Sequence, residues 1–125
     1  MGFRQKTSAT GRDMPRPEIW PGDVVWADFG GTVGHEQMGR RPALVVSNTQ
    51  YLSLVEELVI VVPLTTKNRG WDNHVEVGAA LPQSSWAMTE QLRTIDRRRL
   101  SGFIAGADDE TMDAIRVWLV DFLDL

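Results

Sequence analysis

Every apolar run between Ile19 and Thr94 has the length of a β-strand and is closed off by glycine or by a polar turn. Asp23 to Phe29 alternates. Pro42 to Ser47 and Leu58 to Leu64 are continuous runs of the kind buried on both faces, His74 to Val77 is short, and Ser85 to Thr94 is longer. Gly30, Gly31, Gly34, Gly39, Gly70 and Gly78 stand in the connections, where turns call for positive φ. Five such strands predict a mainly β (α+β) fold built on a small, strongly bent antiparallel barrel. With 125 residues, 42% of them hydrophobic, the chain fits one domain with one core.

Outside the strands, two segments read differently. Met1 to Glu18 is rich in Arg, Ser, Thr, Gly and Pro without apolar periodicity, and is expected to be a flexible extension to a folded domain at residues 19–125. Near the other end, Met112, Ile115, Trp118, Leu119 and Phe122 recur at helical spacing, predicting a helix from about Asp109 to Leu123 capped by Asp108. Val117 and Val120 widen its apolar stripe, which suits a dimer contact. Asp96 to Arg99 reads as a short helical turn.

Composition removes several functions. Without cysteine there is no disulfide scaffold, thiolate metal site or cysteine nucleophile, in keeping with a reducing cytoplasm. The longest apolar run, Leu58 to Val62, is far too short to span a membrane. Glu36, Asp28 and Asp72 are too scattered for a two-metal carboxylate cluster, so neither metal nor other cofactor is expected. The net charge of −4 is uneven: residues 107–125 carry six acidic side chains against Arg116 alone. The remainder is near neutral, and its arginines cluster at Arg40 and Arg41 and at Arg97 to Arg99, leaving room for a basic nucleic-acid surface.

The stretch Gly34 to Asn48, GHEQMGRRPALVVSN, carries the chemistry. A polar loop with Glu36, Arg40 and Arg41 runs straight into the strand Ala43 to Val46. Pro42 biases Arg41 towards an extended backbone, so its guanidinium projects from a stiff strand start. A planar, permanently charged fork held in this way suits a phosphate.

Three more segments accompany it in order: PGDVVWADF at Pro21 to Phe29, VVPLTT at Val61 to Thr66 and EQLRTIDRRRL at Glu90 to Leu100. On these four motifs the chain resembles the MazF/PemK (Kid) toxins of bacterial toxin-antitoxin pairs, from Pro21 onward. The resemblance implies an SH3-like barrel with a C-terminal helix, a homodimer, and sequence-specific, metal-independent cleavage of single-stranded RNA. It also implies a cognate antitoxin whose acidic, apolar segment blocks the RNA face.

The catalytic candidates are Arg41, Thr65 and Glu36. Arg41 would stabilise the phosphorane and, by resemblance, serve as a proton donor. Thr65, after the strand Leu58 to Leu64, matches the family's catalytic threonine, and Glu36 the acidic position of its loop. Glu36 would orient Arg41, accept the 2′-hydroxyl proton or hold the loop. RNA-binding candidates are Gln37 and Arg40 in the loop, Thr66, Lys67, Arg69 and Trp71 in the polar stretch that follows, and Gln91 and Arg93. Trp71 is the best stacking candidate. Trp20, Trp26, Trp86 and Trp118 read as core or interface, Arg97 to Arg99 as solvating a helix, and His35 with His74 as a remote acid-base pair. Two rivals stand beside this reading. One is a gyrase-binding toxin of the same fold, whose Trp-Gly-Ile terminus differs from Phe122 to Leu125 here; the other is an inactive RNA- or protein-binding module.

Overall fold

The computed structural model describes residues 19–30 and 39–125. Seven strands make one antiparallel sheet: β1 (Asp23–Asp28), β2 (Arg40–Val45), β3 (Leu58–Thr65), β4 (His74–Glu76), β5 (Trp86–Met88), β6 (Arg93–Asp96) and β7 (Leu100–Gly106). Helix α1 (Thr49–Leu54) follows β2, and helix α2 (Asp109–Leu123) ends the chain. The spatial order is β4-β5-β3-β2-β1-β7, with β6 also on β3. Among the described residues no pairing joins β7 back to the other edge, so the sheet is open and the expected barrel is a bent sheet that does not close. Register shifts between β1 and β7, at Val24/Val25 and Trp26/Ala27, supply part of the bend.

The central strands read as continuous apolar runs because both faces are covered. Val25, Ala27, Ala43, Val45, Val59, Val61 and Ile95 form one core with Leu52 of α1. Val24, Leu44, Val62, Leu64 and Ala87 form the other, closed by Ile115, Met112 and Leu119 of α2. Helix α2 has the expected bounds and cap: the Asp108 carboxylate accepts from the Thr111 N–H. The cap is tied to the sheet, because the Thr111 hydroxyl accepts from the Gly78 N–H at 2.8 Å.

Three elements depart from expectation. Helix α1, capped by Asn48, occupies a segment with no strand or helix pattern. Strand β7 contains Gly102 and Gly106, which mask its periodicity. The long strand expected at Ser85 to Thr94 is two strands. Along β3 the pairing advances three residues from Val61 to Leu64 while its partner advances six, from Ala87 to Arg93. The excess is taken up by a 3-10 turn at Thr89–Gln91.

Candidate functional site

Strands β2 and β3 pair Val45 with Val61, Leu44 with Val62 and Ala43 with Pro63. Carried two residues further, the same register sets Arg41 opposite Thr65. Directly opposed residues of an antiparallel pair project from the same face, so the two side chains rise side by side. The row continues, since Thr65 pairs with Trp86 of β5, and Trp86 with Glu76 of β4. Arg41, Thr65, Trp86 and Glu76 thus lie in line across four strands. Arg41, Thr65 and Trp86 are half-buried and Glu76 is exposed.

Arg41 stands opposite the buried Ala27 on its other side. Burial lowers its pKa from the ordinary arginine value, and the guanidinium still remains charged at neutral pH. The Thr65 Oγ1 accepts from the Lys67 N–H at 3.1 Å, which orients the hydroxyl and leaves its hydrogen to donate. Arg41 and Thr65 therefore offer a fixed positive charge and a hydroxyl donor on one face, both of which suit a phosphate oxygen. Glu36 and Gln37, like His35, lie outside the described residues. The base of their loop is nonetheless pinned: the Phe29 N–H donates to Gly39 O and the Gly39 N–H to Gly30 O, each at 2.9 Å. Gly30 and Gly39 have φ of +69° and +77°, a conformation that a side chain would strain.

Adjacent in sequence, Arg40 and Arg41 send their side chains to opposite faces of β2. Arg40 projects from the opposite face, its guanidinium 4.3 Å from the Trp26 ring centroid and its Nε 3.3 Å from Ser101 Oγ. Arg93 shares the face of Arg41, and its guanidinium lies 5.0 Å from the Phe29 ring, next to the loop base. Gln91 is carried in the 3-10 turn, away from the ladder.

Thr66, Lys67 and Arg69 are exposed, as the sequence suggests, and Trp71 is 51% exposed. The Trp71 ring packs at 4.7 Å on His74, whose side chain is 1% exposed. His74 Nε2 lies 3.0 and 3.1 Å from the two Glu90 oxygens, while its buried Nδ1 has no hydrogen-bond partner among the described residues. Asn73 Nδ2 also donates to Glu90, at 2.8 Å. His74 thus holds the stretch that carries Trp71, and this buried position does not suit the acid-base pair considered with His35. Sequence reading also missed Glu90, whose link to His74 depends on the 3-10 excursion.

The Arg97 to Arg99 run is the short helical turn expected, a 3-10 turn capped by Asp96 with Arg98 and Arg99 exposed, but Arg97 is not a solvating side chain. Arg97 turns inward, with Nε donating to Leu58 O at 2.8 Å and Nη2 to Val55 O at 2.8 Å and to Leu52 O. Arg98 pairs with Asp96 at 3.0 Å, and Arg99 donates to Asp28 O at 3.1 Å. No three His, Cys, Asp or Glu side chains among the described residues group as metal ligands. No helix among them is long and apolar enough to cross a membrane.

Residues 21–123 match the family model of the PemK-like, MazF-like toxins of type II toxin-antitoxin systems. The chain belongs to that family. Among its relatives is Endoribonuclease EndoA of Bacillus subtilis (strain 168), 37% identical over 99 residues that cover 75% of this chain and 84% of EndoA. Endoribonuclease toxin MazF of Escherichia coli K12 is 35% identical over 74 residues, 59% of this chain and 65% of that protein. In three dimensions the chain is similar to MazF from Deinococcus radiodurans, with TM-score 0.77 and 32% identity over 86% of this chain and 97% of that one. It is also similar to a chain of the MazE-MazF complex from that organism, with TM-score 0.71 and 31% identity over 86% and 96% of the two chains. Membership of the PemK/MazF family accounts for the open antiparallel sheet with its terminal helix, and for the motif order along this chain.

Proposed function

We propose that this chain is an endoribonuclease, the toxin of a type II toxin-antitoxin pair, and that it cleaves single-stranded RNA at the Arg41–Thr65 end of the sheet. The observation that supports the reading is the β2–β3 register, paired as far as Ala43 and Pro63, which carried two residues further puts these two side chains on one face. In-line attack of the ribose 2′-oxygen on phosphorus forms a cyclic 2′,3′-phosphate as the bond to the 5′-oxygen breaks. The 2′-hydroxyl proton leaves to a base, for which Glu36 is the candidate, and the departing 5′-oxygen takes up a proton. Arg41 meets the charge that develops on the nonbridging oxygens, and Thr65 donates to one of them. The reaction needs no redox step, and we assign it no cofactor.

RNA would run from this row towards Lys67, Arg69 and Trp71, and past Arg93, with Gln37, Thr66 and Gln91 as further contacts. Arg40 would touch RNA only from the other face. The relatives solved as MazE-MazF complexes support a cognate antitoxin and a homodimer as partners. Exposed Val117, Val120, Phe122 and Leu123 on α2, beside a groove of about 250 Å³ lined by Ile60, Leu92 and Leu119, give an apolar surface for such contacts. A toxin that acts on RNA and is held by an antitoxin would work in the cytoplasm.

The test is incubation of the full chain, beside Arg41→Ala, with long single-stranded RNA in EDTA, followed by sequencing of the fragment ends. Cuts at one short motif with 5′-hydroxyl ends, lost in Arg41→Ala, are expected. Cleavage by Arg41→Ala at the parent rate would overturn the assignment.

A further inference from the structure

Trp86 reads from sequence as a core or interface residue, but the register brings it into the line of the site. It is paired directly with Thr65, on the side away from Arg41, and then with Glu76. It is half-buried, seated above a row of buried residues: Met88 lies two positions along β5, and its partner on β4 is His74. The indole is therefore partly enclosed and partly open to solvent, in the row next to the hydroxyl expected to meet the phosphate. Glu76 follows one strand further out, roughly 10 Å from Thr65 at ordinary inter-strand spacing. That is the reach from a phosphate to the hydrogen-bonding edge of its base. A carboxylate at this place would repel a second phosphate, whereas it accepts well from base N–H groups.

We propose that Trp86 and Glu76 form a base-reading subsite beside Arg41 and Thr65: the indole stacks on the base next to the scissile phosphate, and Glu76 accepts from its amino group. The inference rests on the ribonuclease reading above and adds a specificity to it. Adenine, cytosine and guanine each offer an exocyclic amino group, whereas uracil presents two carbonyls flanking one N–H. The subsite accordingly excludes uracil at one position of the cleavage motif. Trp71 serves a different nucleotide, because it stands on the connection before β4, stacked on the buried His74.

The test uses the full chain with Trp86→Ala, Trp86→Leu, Trp86→Phe and Glu76→Gln, each first checked for the parent's melting behaviour. One arm measures cleavage of an RNA pool covering all short motifs. The other measures binding of a noncleavable RNA with a 2′-deoxy sugar at the cut. Trp86→Leu keeps apolar volume without a π-face, so it remains informative if Trp86→Ala fails to fold. Loss of one stacked base is expected to weaken binding and raise KM by about 5- to 100-fold with kcat little changed, and Trp86→Phe to recover most of it. Glu76→Gln supplies both a donor and an acceptor, and should admit uracil at one motif position, lowering discrimination there about tenfold or more. Folded variants that keep the parent's KM, binding and motif would overturn the proposal, and would point instead to a surface for protein contact. If the parent cuts no RNA, the ribonuclease reading fails separately. The binding arm, run in that case with the uncut RNA pool itself, still decides the subsite: weaker binding by Trp86→Leu supports it, and equal binding rejects it.

Discussion

Replacing Arg97 by methionine keeps most of the alkyl stem and removes every donor. The guanidinium serves three carbonyls: Leu52 O and Val55 O at the end of α1, and Leu58 O at the start of β3. A helix as short as Thr49–Leu54 leaves most of its carbonyls without intrahelical partners, so this side chain acts as its C-terminal cap. Charge-assisted hydrogen bonds contribute about 1.5–3 kcal/mol each when shielded. Arg97 is only half-buried, and water can replace part of what is lost, so about 1 kcal/mol per carbonyl is the better figure. Arg97→Met should then cost about 3 kcal/mol, which in a domain of this size lowers the melting temperature by roughly 10 °C. Arg97→Lys, a point charge without the fork, should recover less than half of this loss. Chemical denaturation with an unchanged m-value, paired with thermal melts, measures it. Arg98→Met is the internal control, since the Arg98 side chain is 90% exposed and pairs, among the described residues, only with the neighbouring Asp96, and its melt should fall far less than that of Arg97→Met. A drop of less than about 2 °C for Arg97→Met would refute the clamp.

Three other outcomes are expected. Hydrogen bonds from the Arg98 side chain and backbone hold the Asp96 carboxyl at about 2, below its ordinary value. Its contribution is therefore present above the unfolded-state pKa of about 4 and is lost as the pH falls from there through about 2; denaturation midpoints for Asp96→Asn should flatten in that window, and an unchanged slope would count against the pairing. Gly78→Ala would place its Cβ 2.3 Å from Asp108 Oδ2, displacing the carboxylate that caps α2, so the melting temperature should fall by about 5 °C or more, and a melt at the parent temperature would show that the cap can move freely. Trp71→Ala should weaken binding of a noncleavable RNA by about 5- to 100-fold while leaving the melt near the parent's, because the indole is half exposed; equal binding would remove Trp71 from the RNA path.

How much could be read in advance depends on the length of each pattern. Helix α2 runs fifteen residues with a cap and an apolar stripe, and its bounds were legible to the residue. Helix α1 has six residues, too few for a period to show, and only Asn48 hints at its start. In the Arg97 to Arg99 run three identical side chains take three different partners, and no local rule separates them. Arg40 and Arg41 show a subtler limit. With the strand expected to begin at Pro42, both fall in one loop and are expected to act together; because β2 begins at Arg40, the two-residue period sends them to opposite faces. Arg41 was legible as a phosphate ligand from its charge and its place before Pro42, Thr65 came from motif resemblance, and their common face needed the register. Trp86 and Glu76 were invisible as neighbours of Thr65, because a cross-strand row leaves no spacing along the chain.

Pro63 links the fold to the site. Proline has no N–H for a ladder, and β3 lies inside the sheet, with β2 on one edge and β5 and β6 sharing the other. That shared edge is paired from Leu58 to Val61 by β6 and at Leu64 and Thr65 by β5, which leaves Val62 and Pro63 at the gap. A residue without a donor is tolerated at this gap, where the 3-10 turn carries the partner strand away. The excursion brings Glu90 to His74, and with it support for the stretch that carries Trp71. Beyond the gap, β3 resumes pairing in a new register and brings Trp86 beside Thr65. The apolar rows Val45–Val61 and Ala43–Pro63 are fully buried beneath it, so Arg41 and Thr65 stand on the rim of a rigid block. The proline before the two threonines thus marks where one long strand edge is divided, and the division lets a single sheet present both the pair proposed to meet the phosphate and a flanking aromatic.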